Sequence, residues 1–315
     1  MKKLLFIITF AALLLPLGAK DTVIFIPGWF TEWINYSRHR KLLSELFPGA
    51  DLQIGKWNSN RLWKNAKYSA SLEVKELFTE LSTSPDAART TLIGHSLGGR
   101  IIMDCAGLLA ARNLKVKQII LLGTAGKISG GKLRSLQKIS SEPVINICCP
   151  EDNILKVYCR EENEIPLGFA GIPHPADNFR QYRMYIPDES LKLGKITLVS
   201  AKVLDVARQT AAHLAIYYLK TLNTAFSGEI PEYYLNYAEL EQLASRGSCK
   251  LEKTSGFREI ETFDEWKLSA NKQQNSFRIT TAAGKMFYYS DEKTAKENFQ
   301  LLKHRLESAS LAARR

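Results

Sequence analysis

Ser96 stands in the run Leu92-Ile93-Gly94-His95-Ser96-Leu97-Gly98-Gly99, where an apolar stretch passes directly into a glycine-rich turn. Gly94, Ser96 and Gly98 have the spacing G-x-S-x-G, in which a strand bends sharply into a helix and presents the serine hydroxyl at the apex. Small residues are needed because the chain nearly touches itself there. A serine hydroxyl is a poor nucleophile until a base takes its proton, and an imidazole, titrating near neutrality, suits that task. Of the five histidines, His95 adjoins the serine, and neighbouring side chains at a sharp turn should point apart. His39 lies in a basic helix and His304 on a terminal helix. His174 lies between two prolines, whereas His213 opens the apolar segment His213-Leu214-Ala215-Ile216-Tyr217-Tyr218. His213 is the favoured base and His174 its rival.

A base of this kind needs an acceptor that fixes its tautomer and stabilises its charged form. Asp152 follows the apolar run Val144 to Cys148, so it should stand at the carboxyl end of a strand, on the same rim as Ser96. Glu151 is its nearest rival and Asp205 a more distant one. The chain order is then Ser96, Asp152, His213. An oxyanion formed by attack at a carbonyl needs two backbone donors. Leu97, directly after the serine, offers one. The other should come from the loop Pro27-Gly28-Trp29-Phe30, with the Trp29 amide preferred over that of Phe30. The side chains of Trp29, Phe30 and Trp33 are candidates for an apolar acyl pocket.

The elements that must hold these groups alternate between strand and helix. Thr22 to Ile26 reads as a buried strand stopped by Pro27-Gly28, and Ser37 to Phe47 as a helix closed by Pro48-Gly49. Leu52 to Lys56 is the next expected strand, Lys64 to Leu81 a helix, Thr90 to Ile93 the serine strand and Leu97 to Ala111 its helix. Val116 to Leu122 and Val144 to Cys148 read as strands around a short helix, Lys132 to Ile139. A long irregular excursion is expected from Tyr158 to Ser190, then a last strand, Ile196 to Ser200, and a closing helix, His213 to Thr221. This alternation implies an α/β fold with a parallel sheet covered on both faces. Ligands then gather beyond the carboxyl ends of its strands. After about Ala225 the texture changes to a hairpin, 276–289, and an amphipathic helix, 291–306, expected to form a small α+β attachment of unknown role, 225–315.

Length, 315 residues, allows one large domain with an attachment. The formal net charge is +11, yet acidic residues are interleaved and no nucleic-acid motif appears, so no nucleic-acid partner is expected. Lys2 and Lys3, the apolar stretch Leu4 to Leu15, and Pro16-Leu17-Gly18-Ala19 have the order of a secretory signal, which makes residues 1–19 an expected export segment. An exported or cell-envelope location, with contact to a membrane or envelope surface, follows as an expectation; if the segment belongs to the fold, the chain is cytoplasmic. The five cysteines show no metal-ligand spacing, and Cys105, Cys148 and Cys149 read as reduced core residues. No metal or cofactor is expected.

On PGWF at 27–30, GHSLGG at 94–99, CPEDNILKVYCR at 149–160 and AAHLAIYYL around His213, the chain resembles the α/β-hydrolase superfamily, closest to its lipase- and esterase-like branch. The resemblance covers roughly residues 21–222. It implies a minimal, mostly parallel sheet in a domain of residues 20–224. It also implies a serine hydrolase acting on small-molecule or lipid carboxylic esters. Ser96 would be nucleophile, Asp152 acid, His213 base, and Trp29 and Leu97 the oxyanion donors. An acyltransferase using the same serine, or an idle binding protein on this scaffold, are the alternatives. Many members carry His-Gly where this chain has Pro27-Gly28, and the early strands usual in the fold are absent.

Overall fold

The computed structural model describes residues 20–29, 31, 34–59, 62–162, 164–184, 213–249, 256–271 and 273–312. The strand expected at 196–200, the segment 1–19, Phe30, Trp33 and Asp205 lie outside the described residues.

Six strands form one sheet: β1 (Thr22–Ile26), β2 (Asp51–Ile54), β3 (Thr90–His95), β4 (Gln118–Leu122), β5 (Val144–Cys148) and β6 (Phe179–Arg183). Their spatial order is β2-β1-β3-β4-β5-β6, and every pair is parallel. Parallel strands need helical crossovers, and these cover both faces, so the inner strands β1, β3, β4 and β5 are buried almost throughout rather than alternating between buried and exposed residues. Successive β1 residues divide between the two faces, as the two-residue period requires. Ile24 and Ile26 pack with Leu92, Ile119 and Leu121 beneath α2 (Trp63–Thr83), α3 (Leu97–Ala111) and α4 (Gly130–Ile139). Val23 and Phe25 pack with Ile93, Ile120 and Ile147 on the side of α1 (Ser37–Leu46) and α7 (Ala215–Phe226).

The chain runs outward from β1 to β2, then returns across β1 to β3 and continues the other way. A crevice therefore opens between the carboxyl ends of β1 and β3, where the winding reverses. The Gly28 loop after β1 and Ser96 after β3 face each other across it.

The expected excursion from Tyr158 to Ser190 is corrected by the structure. It contains the end of α5 (Asn153–Glu162), the short α6 (Leu167–Ala170) and the edge strand β6. The strand is hard to read because its sequence, FRQYR, carries Gln181 and Arg183, both buried. Gln181 replaces its lost water bonds with protein ones. Its amide donates to the carbonyls of Ile172 and Tyr233, and its side-chain oxygen accepts from Asn146 Nδ2 and the Ile172 N–H.

Beyond α7 the chain forms α8 (Tyr237–Ser245) and a four-stranded antiparallel sheet, β10-β9-β8-β7. Its strands are β7 (Arg258–Phe263), β8 (Trp266–Asn271), β9 (Ser276–Thr280) and β10 (Met286–Tyr289). The sheet is backed by α9 (Glu292–Ala312), whose Ala295, Phe299, Leu302 and Leu306 are buried at helical spacing. The expected hairpin is β9–β10; β7, β8 and α8 add to it. This unit shares its core with the larger sheet's helices: Trp266, Leu268 and Phe277 cluster with Leu155, Tyr158 and Cys159 of α5 and Phe169 of α6. Among the described residues no helix is long and apolar enough to cross a membrane. The five cysteines are unpaired, four of them buried and Cys249 exposed.

Candidate active site

Ser96 has φ +53° and ψ −120°, a backbone conformation that costs a side-chain-bearing residue free energy and persists only where its surroundings enforce it. Three backbone bonds do so. The Ser96 N–H donates to Leu122 O at 2.9 Å, and its carbonyl accepts from Gly99 at 3.1 Å and Ala125 at 3.0 Å. The flanking glycines are required by space. A Cβ on Gly94 would lie 2.6 Å from the Gly99 backbone, and one on Gly98 2.1 Å from Ile26 O. Both distances are below any tolerated contact, so β1, β3 and α3 can meet here only without side chains.

The structure brings Ser96, His213 and Asp152 together although 117 and 61 positions separate the successive pairs. His213 Nδ1 lies 2.7 Å from Asp152 Oδ2, and His213 Nε2 lies 2.8 Å from Ser96 Oγ. A carboxylate can only accept, so Nδ1–H donates to it. In the neutral ring Nε2 is then the acceptor and Ser96 Oγ–H the donor. The chain of contacts can carry the serine proton to the imidazole. His213 sits in the turn immediately before α7, between the sheet rim and solvent.

Asp152 is fully buried and is the N-cap of α5. Its Oδ1 accepts from the Ile154 N–H at 3.0 Å and the Leu155 N–H at 3.1 Å, the two bonds of a capping carboxylate. The helix thus fixes the carboxylate with one oxygen and leaves the other for His213, while its N-terminal dipole favours the negative charge. Oδ2 has a second donor that the sequence did not reveal, the Tyr218 hydroxyl at 2.8 Å. Burial, reinforced by the Asp152 charge, raises Tyr218 well above its usual range, so it stays protonated and donates. The readable signal was a tyrosine one turn along the His213 helix, in an apolar run where its hydroxyl must find a partner. Gly123, at φ +51°, admits that ring; a Cβ there would lie 2.5 Å from it.

The rival residues fall elsewhere. His174 is exposed in the loop before β6. Glu151 turns to Arg183 at 2.7 Å rather than to His213. His95 does not simply point away: its ring packs 5.0 Å from that of His213 and 5.7 Å from that of Tyr218. Burial first, and the neighbouring His213 second, hold His95 well below the usual imidazole range. It is a neutral wall behind the His213 ring.

Leu97 opens α3 and is fully buried. The loop after β1 is pressed onto the serine: a Cβ on Gly28 would lie 2.7 Å from Ser96 Cβ and 3.2 Å from His95 Nδ1. Trp29 is the next residue in this loop. Trp57 Nε1 anchors the loop by donating to Pro27 O at 2.9 Å. The Trp29 ring is partly exposed and meets Trp63 edge-on at 5.3 Å, and Trp63 in turn meets Tyr158 at 5.7 Å. Beside the loop lies a cavity of about 710 Å³ bordered by Pro27, Thr31, Tyr36, Trp57 and Ser59.

Residues 32–176 match the sequence model of a family described as proteins of unknown function (DUF726). No curated protein matches the chain. Among solved structures, the RedJ thioesterase of the prodiginine pathway in Streptomyces coelicolor is 10% identical, with a TM-score of 0.29, covering 42% of this chain and 68% of its own. Arabidopsis thaliana SOBER1 is 10% identical, with a TM-score of 0.31, covering 53% and 90%. A putative cell surface hydrolase from Lactobacillus plantarum is 13% identical, with a TM-score of 0.29, covering 41% and 67%. At such distances no activity passes from these proteins to this one. The parallel order β2-β1-β3-β4-β5-β6, with a serine held at positive φ between β3 and the helix that follows, is that of the α/β-hydrolase fold, and this chain has that fold.

Proposed function

We propose that the protein is a serine hydrolase that cleaves carboxylic esters through an acyl-enzyme. The observation that carries this reading is the unbroken line Ser96 Oγ–His213 Nε2, His213 Nδ1–Asp152 Oδ2, at 2.8 and 2.7 Å, ending on a serine in a strained turn. Ser96 Oγ attacks the carbonyl carbon while His213 Nε2 takes its proton. Asp152 holds the ring in the tautomer that leaves Nε2 free to accept, and stabilises the imidazolium that results. The oxyanion is received by the N–H of Leu97 and the N–H of Trp29, the latter supported by the pressure of Gly28 on Ser96. His213 returns the proton to the leaving alkoxide, and a water deprotonated by the same ring releases the acid. The exposed Trp29 edge is proposed to receive the acyl chain of a small-molecule or lipid ester.

A fluorophosphonate probe tests the assignment. The wild-type chain is expected to be labelled on Ser96, with labelling abolished in Ser96→Ala and lowered by about 10³–10⁴-fold in Asp152→Asn, which presents the wrong tautomer. His213→Ala should abolish it and His174→Ala should leave it intact. Undiminished labelling of Ser96→Ala refutes the reading. We propose an exported or envelope setting for this activity, on the residue order of positions 1–19; fractionation of the expressing cell tests that separately.

A further inference from the structure

Asp264 and Glu265 form the two-residue turn between β7 and β8, and both are left-handed, at φ +44° and +70°. That conformation belongs to a type I′ turn, which Asn-Gly satisfies at least cost. Asp264 is a residue such a turn accepts, but Glu265 stands where glycine is preferred, against local preference. Both carboxylates reach across to the larger domain. Asp264 takes two bonds from the Arg183 guanidinium, Nη1 to Oδ2 at 3.1 Å and Nη2 to Oδ1 at 2.6 Å. Glu265 pairs with Lys156.

Both cations are buried and both are tied to the acid loop. Arg183, at the end of β6, also holds Glu151, the residue before Asp152, at 2.7 Å, and lies over the Tyr233 ring at 5.4 Å. Lys156 lies on the first turn of α5, and its backbone N–H donates to Asp152 O at 3.0 Å. A buried cation without its partner is strongly unfavourable, so these pairs fix position even where they add little net stability. The two ends of the acid loop are thereby fastened to two consecutive residues of the C-terminal unit.

We propose that the β7–β8 turn is a positioning device for Asp152: Asp264 through Arg183 and Glu151, and Glu265 through Lys156, hold residues 150–156 where the carboxylate meets His213. The C-terminal unit then serves the site, as a clamp on its acid loop. The proposal rests on the catalytic reading above for its consequence, but the clamping itself does not depend on it.

The double variant Asp264→Asn/Glu265→Gly separates the roles, because it gives the hairpin its preferred turn while removing both charges. In the full chain, a turn that is only structural is improved or unchanged. The clamp predicts a fold that persists, amide exchange over residues 150–156 at least tenfold faster, and a maximal fluorophosphonate labelling rate at least tenfold lower with half-saturation unchanged. Should the stranded cations prevent folding, adding Arg183→Met and Lys156→Met removes them, and the same changes are expected. A folded variant that labels within twofold of the parent overturns the proposal. If the parent itself is not labelled, the catalytic reading fails. Exchange over 150–156 then decides alone: unchanged exchange overturns the clamp and faster exchange upholds it.

Discussion

Tyr218→Phe isolates one hydrogen bond with little else disturbed. The ring stays in the space that Gly123 leaves for it, and phenylalanine strands no buried donor. Asp152 keeps the two backbone donors on Oδ1 and loses one of two donors on Oδ2. A hydrogen bond to a charged acceptor contributes about 1.5–3 kcal/mol. Without it Oδ2 is a stronger partner for His213, and more so once the ring is charged. If about half of the lost energy, roughly 1 kcal/mol, reappears in that pairing, the imidazolium is favoured by about 0.7 pH unit at 1.36 kcal/mol per unit. The sign follows directly: a better-stabilised imidazolium must be taken to higher pH before it can act as base. The acid limb of the labelling rate against pH should therefore move up by about 0.5–1 unit, while the alkaline plateau changes by less than about threefold. Because Tyr218 is held protonated well above its ordinary range, no limb of the wild-type profile near neutrality belongs to it. A folded Tyr218→Phe protein whose acid limb is unmoved, or moves down, refutes the coupling of this hydroxyl to the base through the shared oxygen.

Gly28→Ala should place a methyl 2.7 Å from Ser96 Cβ, destabilising the fold by about 1–3 kcal/mol in denaturant titration and lowering Ser96 labelling by about a hundredfold. Gly123→Ala, which meets Tyr218 at 2.5 Å from a left-handed backbone, should reproduce the Tyr218→Phe limb shift with a larger loss of stability. His95, and in the same direction His39, are held below the usual imidazole range chiefly by burial, so the unfolded chain binds more protons below about pH 6.5. Stability is then full above that pH and falls as the pH drops, by up to about 1.4 kcal/mol per unit for each group. His95→Gln should flatten that slope in urea unfolding between pH 6.5 and 5, and an unchanged slope would assign the acid sensitivity elsewhere.

The parts of the fold that were legible in the sequence are those in which one residue's environment is set by its near neighbours. The strands β1, β3, β4 and β5 each carry a run dominated by apolar residues, and only a strand covered on both faces accepts such a run without alternation. Ser96 was legible because a sharp strand-to-helix turn constrains residues two apart: Gly94 and Gly98 touch Gly99 and Ile26, leaving no freedom in their identity. Asp152 and His213 were reached by a different route, through the ends of the elements that carry them. A carboxylate that caps the helix after a buried strand, and an imidazole opening the closing helix, are both placed on the strand rim before their partners are known.

What stayed hidden depends on pairing between distant residues. Gln181 and Arg183 make β6 look like a loop, because in isolation a buried amide and guanidinium are prohibitive. They become acceptable only with Asn146, Ile172 and Tyr233 around the first and Glu151 and Asp264 around the second, the last of these 81 residues away. The same reason concealed the meaning of Asp264-Glu265, which by composition is an ordinary polar turn and by backbone is unfavourable at Glu265. The conflict is visible only when φ is known, and its resolution only when Arg183 and Lys156 are seen on the other side. Tyr218 belongs to the same class, since its hydroxyl is accounted for by a carboxylate 66 positions earlier. Three of these concealed pairs, Arg183–Glu151, Glu265–Lys156 and Tyr218–Asp152, end on Asp152 or within four residues of it. The acid loop is therefore held by pairings that local sequence preference does not reveal, and such overrides persist where a geometry must be held rather than merely reached.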